Sequence, residues 1–291
     1  RGKIENIYEN KRPLLDLDDD FYKLDLTIYE NALLVTKKID LVIHLADIVS
    51  GIKFVFGNEP FVFRNNLLIN SNILTASIKN KVKKIIYVGT ACSYPAEMQS
   101  YLNPPPFIES QAYPANPESS YGWSKLMGEY EIELATKYNL IESCILRLHN
   151  VYGPPCDLDP EKSQVIPALC RKILENKNNE IIVWGSGKQK RAFIYIDDII
   201  DGILLGIEKG FNNGVIQLGP KTSHSIEYIA NYLISLVNKK INIKYDISKP
   251  EGDKDRVPDC TRANQILGWS EKIDINQGLE KTFEWVKNNL D

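Results

Sequence analysis

Apolar runs that break into polar loops, each followed by a segment of helical period, recur through the first 150 residues and confine the chain to few folds. Residues 41–45 form one such run, entering Ala46-Asp47, and residues 85–88 form another, opening into Gly89-Thr90-Ala91-Cys92. A third run, residues 144–148, leads into His149-Asn150-Val151-Tyr152-Gly153-Pro154. Segments of helical period lie at 29–36, 65–77 and 121–138, and residues 4–8 read as a further short strand. Strands alternating with helices predict a parallel sheet covered on both faces. The expected fold is therefore α/β, a doubly wound parallel sheet of Rossmann type.

Beyond Gly153 the pattern loosens into what a smaller α/β domain would look like. Helices are expected at 165–174, 197–208, 225–237 and 279–288, with strands at 180–184, 194–196, 215–218 and 241–245. The strand at 215–218 is expected to return to the main sheet. This divides the chain into 1–152 plus 193–218 for the first domain and 153–192 plus 219–291 for the second. A doubly wound fold that takes a dinucleotide holds the pyrophosphate on a glycine-rich turn after its first strand. No GxxGxxG or GxGxxG occurs in the 291 residues. Arg1-Gly2-Lys3 reads as the tail of a helix, so a first βα unit of roughly thirty residues is expected to precede Arg1.

Composition narrows the class. With 43% hydrophobic and 25% charged residues the chain is not a disordered one. A formal net charge of -3 leaves no electrostatic footprint for nucleic acid. No apolar run reaches the length of a membrane span, the longest, at 199–207, being broken by Asp201 and two glycines. The five cysteines lack CxxC spacing, which suggests neither a metal knuckle nor a disulfide framework and points to a reduced, cytoplasmic protein. Cys144 and Cys170 lie in apolar segments and read as small core residues. Cys92 differs, because its loop carries polar chemistry.

That chemistry centres on Thr90, Cys92, Tyr121 and Lys125. Residues four apart share a helix face, so the Tyr121 hydroxyl and the Lys125 ammonium can meet in one pocket. Lys125 is expected to lower the phenol's pKa and make Tyr121 a base near neutral pH. Thr90, at its strand end, can hydrogen-bond the same substrate hydroxyl. Both polar clusters fall at the carboxyl ends of predicted strands, where open α/β sheets bind ligands. Such a group removes a hydroxyl proton while hydride leaves the adjacent carbon for a nicotinamide.

The chain resembles, over nearly its full length, the extended short-chain dehydrogenase/reductase family of nucleotide-sugar enzymes. The likeness rests on Thr90-Ala91-Cys92-Ser93-Tyr94-Pro95, Tyr113-Pro114-Ala115-Asn116-Pro117, residues 121–125, Arg147-Leu148-His149-Asn150-Val151-Tyr152-Gly153-Pro154, Val183-Trp184-Gly185-Ser186-Gly187 and Leu267-Gly268-Trp269. It is strongest to the GDP-mannose 3,5-epimerase branch, with the GDP-fucose synthases next. In both branches a cysteine two residues after the threonine acts at C3 and C5 of a 4-keto sugar, where the family's dehydratases carry an acid. The first domain is then dinucleotide-binding and the second nucleotide-sugar-binding.

The resemblance also implies contacts. For the cofactor they are Glu9 at the adenosine ribose, Asp25 and Leu26 at the adenine, Leu45 and Ala46 under the pyrophosphate, and Asn66 as a helix-capping residue behind it. Glu9 favours NAD, while Lys11 and Arg12 could accommodate NADP. For the substrate they are Asn150, Lys172, Trp184 over the base, and Arg191 and Arg256 on the diphosphate. Trp184 reads equally as a buried aromatic. The partner acid departs from the pattern: Gln164 takes the histidine's place and Val165 lies near the lysine's, leaving Lys162 as a loop residue that could reach in or stay solvated. An amide donates no acid proton. Four readings stand: a GDP-sugar epimerase, an NADPH-dependent reductase of a 4-keto-6-deoxy sugar, a C4 epimerase or 4-dehydrogenase, and an inactive nucleotide-sugar-binding fragment. A homodimer through the helices at 65–77 and 121–138 is implied by the resemblance.

Overall fold

The computed structural model describes residues 21–49, 51–160, 162–249 and 252–290, together with the short antiparallel pair β1 (Tyr8–Glu9) and β2 (Arg12–Pro13). The strand expected at 4–8 lies outside them except for Tyr8, as do the side chains of Glu9, Lys11 and Arg12. The chain continues through α1 (Tyr29–Val35), β3 (Leu41–His44), α2 (Ile52–Gly57), α3 (Glu59–Lys79), β4 (Lys84–Thr90), α4 (Ser120–Lys137) and β5 (Glu142–Leu148). Then come β6 (Asn150–Tyr152), α5 (Val165–Leu174), β7 (Glu180–Trp184), β8 (Lys190–Arg191), β9 (Phe193–Tyr195), α6 (Ile196–Lys209) and β10 (Val215–Leu218). The last elements are β11 (His224–Ser225), α7 (Ile226–Ser235), β12 (Asn242–Asp246), α8 (Thr261–Leu267) and α9 (Ile275–Asn289).

Four strands in the order β10-β5-β4-β3, all parallel, make the central sheet. Successive strand residues face opposite sides, and both sides here are covered. Ile85, Tyr87 and Ile145 pack with Ile73, Leu74, Ile132 and Ala135 of α3 and α4. Ile86, Cys144 and Leu146 pack with Ile199 of α6 and Ala263 and Leu267 of α8. Burial on both faces is why these strands read as continuous apolar runs.

Register sets the active edge. Thr90 pairs with Leu148 and Leu218 with Leu148, so three carboxyl ends stand level. β3 stops at His44, opposite Tyr87, and its chain leaves the sheet as the loop through Asp47. A second core lies below, where α5, α7 and α9 enclose the parallel pair β7 and β12 around Ile173, Leu233, Leu279 and Val286. Residues 261–269 pack on the main sheet instead, across the boundary expected at 218/219. Among the described residues no helix is long and apolar enough to cross a membrane.

Candidate active site

Thr90 ends β4, and its Oγ1 accepts from the Cys92 amide at 3.2 Å. That bond caps a single 3-10 turn, Ala91–Ser93, and swings Cys92 off the strand axis. Opposite, Ser119 caps α4 by accepting from the Gly122 amide at 3.2 Å, as an N-cap serine does. The two loops touch: a Cβ on Gly122 would collide with the Cys92 carbonyl. Glycine at that position lets the start of α4, with Tyr121 in its first turn, seat directly on the cysteine loop.

The Tyr121 hydroxyl donates to Asp47 Oδ2 at 3.0 Å, and Lys125 Nζ lies 3.5 Å from the same oxygen. Lys125 is 2% exposed and also sits 4.7 Å from the centre of the Tyr87 ring. Tyr121 and Lys125 therefore meet through Asp47. This corrects the expected electrostatics. Burial first, then the charge of Asp47, then that of Cys92, push the Tyr121 phenol well above its ordinary value, while burial lowers Lys125 in spite of Asp47. Asp47 was not singled out from sequence. Its only signal was an acid just past a strand's carboxyl end.

Asn66 fixes the Asp47 loop. It is fully buried inside α3, and its side chain accepts from Ile48 N at 2.7 Å and donates to Ile48 O at 3.1 Å. The expected helix cap is thus a loop clamp, because α3 begins at Glu59, earlier than the sequence pattern indicated. Leu45 is 58% exposed at the same edge and Ala46 is half-buried. Exposed apolar surface beside a buried hydroxyl and ammonium suits the flat, partly polar nicotinamide riboside end of a dinucleotide. Asp25 is exposed and accepts from Thr27 N at 2.9 Å and Thr27 Oγ1 at 2.7 Å, making a turn, and Leu26 packs on the core.

On the other side of Cys92 stands Arg256. Expected on a diphosphate, it is 3% exposed and already engaged. Nη1 donates to Ala91 O at 3.4 Å, to Gln99 Oε1 at 2.5 Å and to Asp253 Oδ2 at 3.0 Å. Nη2 reaches Asn150 Oδ1 at 3.5 Å and Cys92 Sγ at 3.6 Å. A buried guanidinium thus lies within reach of the sulfur. Arg191, from β8, donates to Lys190 O at 2.7 Å and Asp253 O at 2.6 Å. The structure thus gathers Asn150, Arg191 and Arg256 around Cys92 and Asp253. Lys172 and Trp184 gather instead on β7: Lys172 Nζ donates to Ile182 O at 2.8 Å, and the partly exposed Trp184 ring has Lys249 Nζ 5.9 Å from its centre. Lys162 stays on the surface, 62% exposed and 2.8 Å from Asp159 Oδ2.

The chain matches the NAD dependent epimerase/dehydratase family over residues 4–219. It is 33% identical over 276 residues to the GDP-mannose 3,5-epimerase of Arabidopsis thaliana, a match covering 94% of this chain and 72% of that protein. It is 30% identical over 313 residues to the GDP-L-fucose synthase of Escherichia coli (strain K12), covering 100% and 91%. The solved UDP-glucose 4-epimerase of Thermotoga maritima, crystallised with UDP-glucose, has a TM-score of 0.87 over 100% of this chain and 89% of that one, at 25% identity. The two branches singled out from the motifs are both among these relatives.

Proposed function

The chain belongs to the NAD dependent epimerase/dehydratase family, and from that premise we propose that it is an NAD-dependent epimerase of a GDP-sugar, acting by transient oxidation at C4 and proton exchange at C5 or C3. The observation that carries the reading is Cys92 Sγ facing Arg256 on a loop seated against the helix of Tyr121. When bound, NAD would supply the hydride acceptor for C4 and the donor for its return. The residues proposed to hold its nicotinamide end are Leu45, Ala46, Tyr121 and Lys125, with Asn66 fixing the loop between them.

The Tyr121 phenol already points its proton at Asp47, which leaves its oxygen free to take the C4 hydroxyl proton as Asp47 takes the phenol's. Lys125, held beside Asp47, compensates the negative charge on the pair. Thr90 Oγ1 accepts from Cys92 N and keeps its own proton to donate to the C4 oxygen. The ketone acidifies the C–H bonds at C3 and C5, and Cys92 removes one of those protons with Arg256 against its sulfur. Asn150, beside Arg256, and Arg191, beside Asp253, are assigned as substrate contacts, and Trp184 and Lys172 are assigned to the nucleotide end.

A GDP-sugar is favoured because the relatives at 33% and 30% identity are named for GDP-sugars. The full-length match to a fucose synthase supports a second reading, an NADPH-dependent reductase of a GDP-4-keto-6-deoxy sugar. Incubation of GDP-mannose with NAD, and of the keto sugar with NADPH, separates the two by product chromatography. Epimerised GDP-hexose without net NADH formation is expected, and consumption of NADPH by the keto sugar alone would reverse the choice.

A further inference from the structure

Proton exchange that inverts a carbon needs a donor facing the base that removes the proton. Gln164 stands where the family's acid is expected, and Lys162 is engaged with Asp159 at the surface. The loop before α4 supplies another group. It runs beside the cysteine loop: Ala96 N donates to Asn116 O at 2.8 Å, Pro95 bridges Pro117, and Gly122 abuts the Cys92 carbonyl. Glu118 lies between these anchors. The residue is exposed, but its carboxyl is only partly so and hydrogen-bonds that of Asp253. Asp253 is 3.0 Å from Arg256 Nη1, and Arg256 Nη2 is 3.6 Å from Cys92 Sγ. Cys92 and Glu118 thus stand at the two ends of one short series of contacts.

Two carboxyls in a mutual hydrogen bond hold a proton between them. The charged groups acting on Glu118 are Asp253, Arg191 and Arg256. The hydrogen bond to Asp253, burial and the charge of Asp253 raise Glu118 to about 7 against the pull of the two arginines. Asp253, despite burial, is held below the usual carboxylate range by Arg256, by the bond from Glu118 and by Arg191. Of the two carboxyls, Glu118 is therefore the one that holds the proton.

We propose that Glu118 is the catalytic acid that gives a proton to the sugar carbon from which Cys92 removes one. The assignment rests on the epimerase reading. As the sulfur takes the C5 or C3 proton, the C–H electron pair moves toward the C4 carbonyl and forms an enolate. The enolate carbon then takes the Glu118 proton on its other face, the C=C pair becomes the new C–H bond, and the ketone re-forms. Cys92 is left as a thiol and Glu118 as a carboxylate, and exchange with water resets both.

The test is Glu118→Gln assayed with GDP-mannose and NAD in deuterated water. Inverted product is measured by chromatography and deuterium in recovered substrate by mass spectrometry. Inversion is expected to fall by about 10²-fold or more, the usual scale of a lost general acid, while recovered GDP-mannose still gains deuterium through Cys92. Inversion at the wild-type rate overturns the assignment. So does loss of both inversion and exchange in the variant alone, since that marks a structural role. No exchange in the wild type removes the epimerase reading itself, and this assignment with it.

Discussion

At the scale of single residues, Asp47 decides what Tyr121 can do. A carboxylate stands 3.0 Å from the phenol and 3.5 Å from Lys125, and in the proposed mechanism the trio acts as a proton relay. Asp47→Asn is expected to slow C4 oxidation at neutral pH by roughly 10²-fold or more, as loss of a proton acceptor does. Because the charge and hydrogen bond of Asp47 both hold the phenol up, the variant's phenol ionises at lower pH than the wild type's, and its residual activity should climb with pH. A pH profile of nicotinamide reduction checks both points, and an unchanged rate at neutral pH would remove Asp47 from the relay. The four-residue spacing of Tyr121 and Lys125 was legible in the sequence because helix geometry fixes it locally. Asp47 was not, since it arrives from 74 residues away and only the folded register brings it in; Arg256 was legible as a site residue, but its place against Cys92, 164 residues away, was not.

Among elements, the helix that carries Tyr121 is held to the sheet by an ion pair. Arg147 of β5 donates from Nη2 to Glu129 Oε2 at 2.6 Å and from Nε to Oε1 at 3.3 Å, with both side chains at most 2% exposed. Its Nη1 donates to Glu109 O at 2.8 Å, and its guanidinium lies 4.8 Å from the centre of the Tyr94 ring. Glu129 is on α4, one turn beyond Lys125, so the pair ties the helix of Tyr121 to the sheet. Removing one partner leaves a buried charge without its counterion and costs about 3–5 kcal/mol. Glu129→Gln is expected to lose roughly that much in urea denaturation; a change below about 1 kcal/mol, the range of a surface pair, would contradict the buried-pair account. Gly89→Ala should act through the same pair, because its Cβ would meet the Glu129 carboxylate. The long periodic elements, α3, α4, β4 and β5, were legible, and so was the return of β10 to the sheet. The short helices α2 and α8, of 6 and 7 residues, were missed.

Across the whole molecule, α3 and α4 pack side by side on one face of the sheet and leave apolar side chains outward. These are Tyr130 and Leu134 of α4 with Tyr138 just past its end, spaced four apart, and Phe61 and Leu68 of α3. Residues at that spacing line one helix face. We propose that a second copy of the chain covers it, as the family resemblance implies. Sedimentation equilibrium is expected to give a dimer, and Tyr130→Glu with Leu134→Glu a monomer; a monomeric wild type at high concentration would refute it. The architecture itself was legible from the alternation of strands and helices. The exact role of the second core was not, because its strands and helices are short and residues 261–269 cross back to the main sheet.

The account rests on a phenol and a thiol facing one pyranose ring at the carboxyl edge of that sheet. Incubation of GDP-mannose and NAD with the protein in deuterated water, followed by NMR of the recovered sugar, tests this most directly. Deuterium at C5 or C3, abolished in Cys92→Ser while C4 oxidation persists, is the expected result. Deuterium absent from both carbons, or present equally in Cys92→Ser, would contradict it.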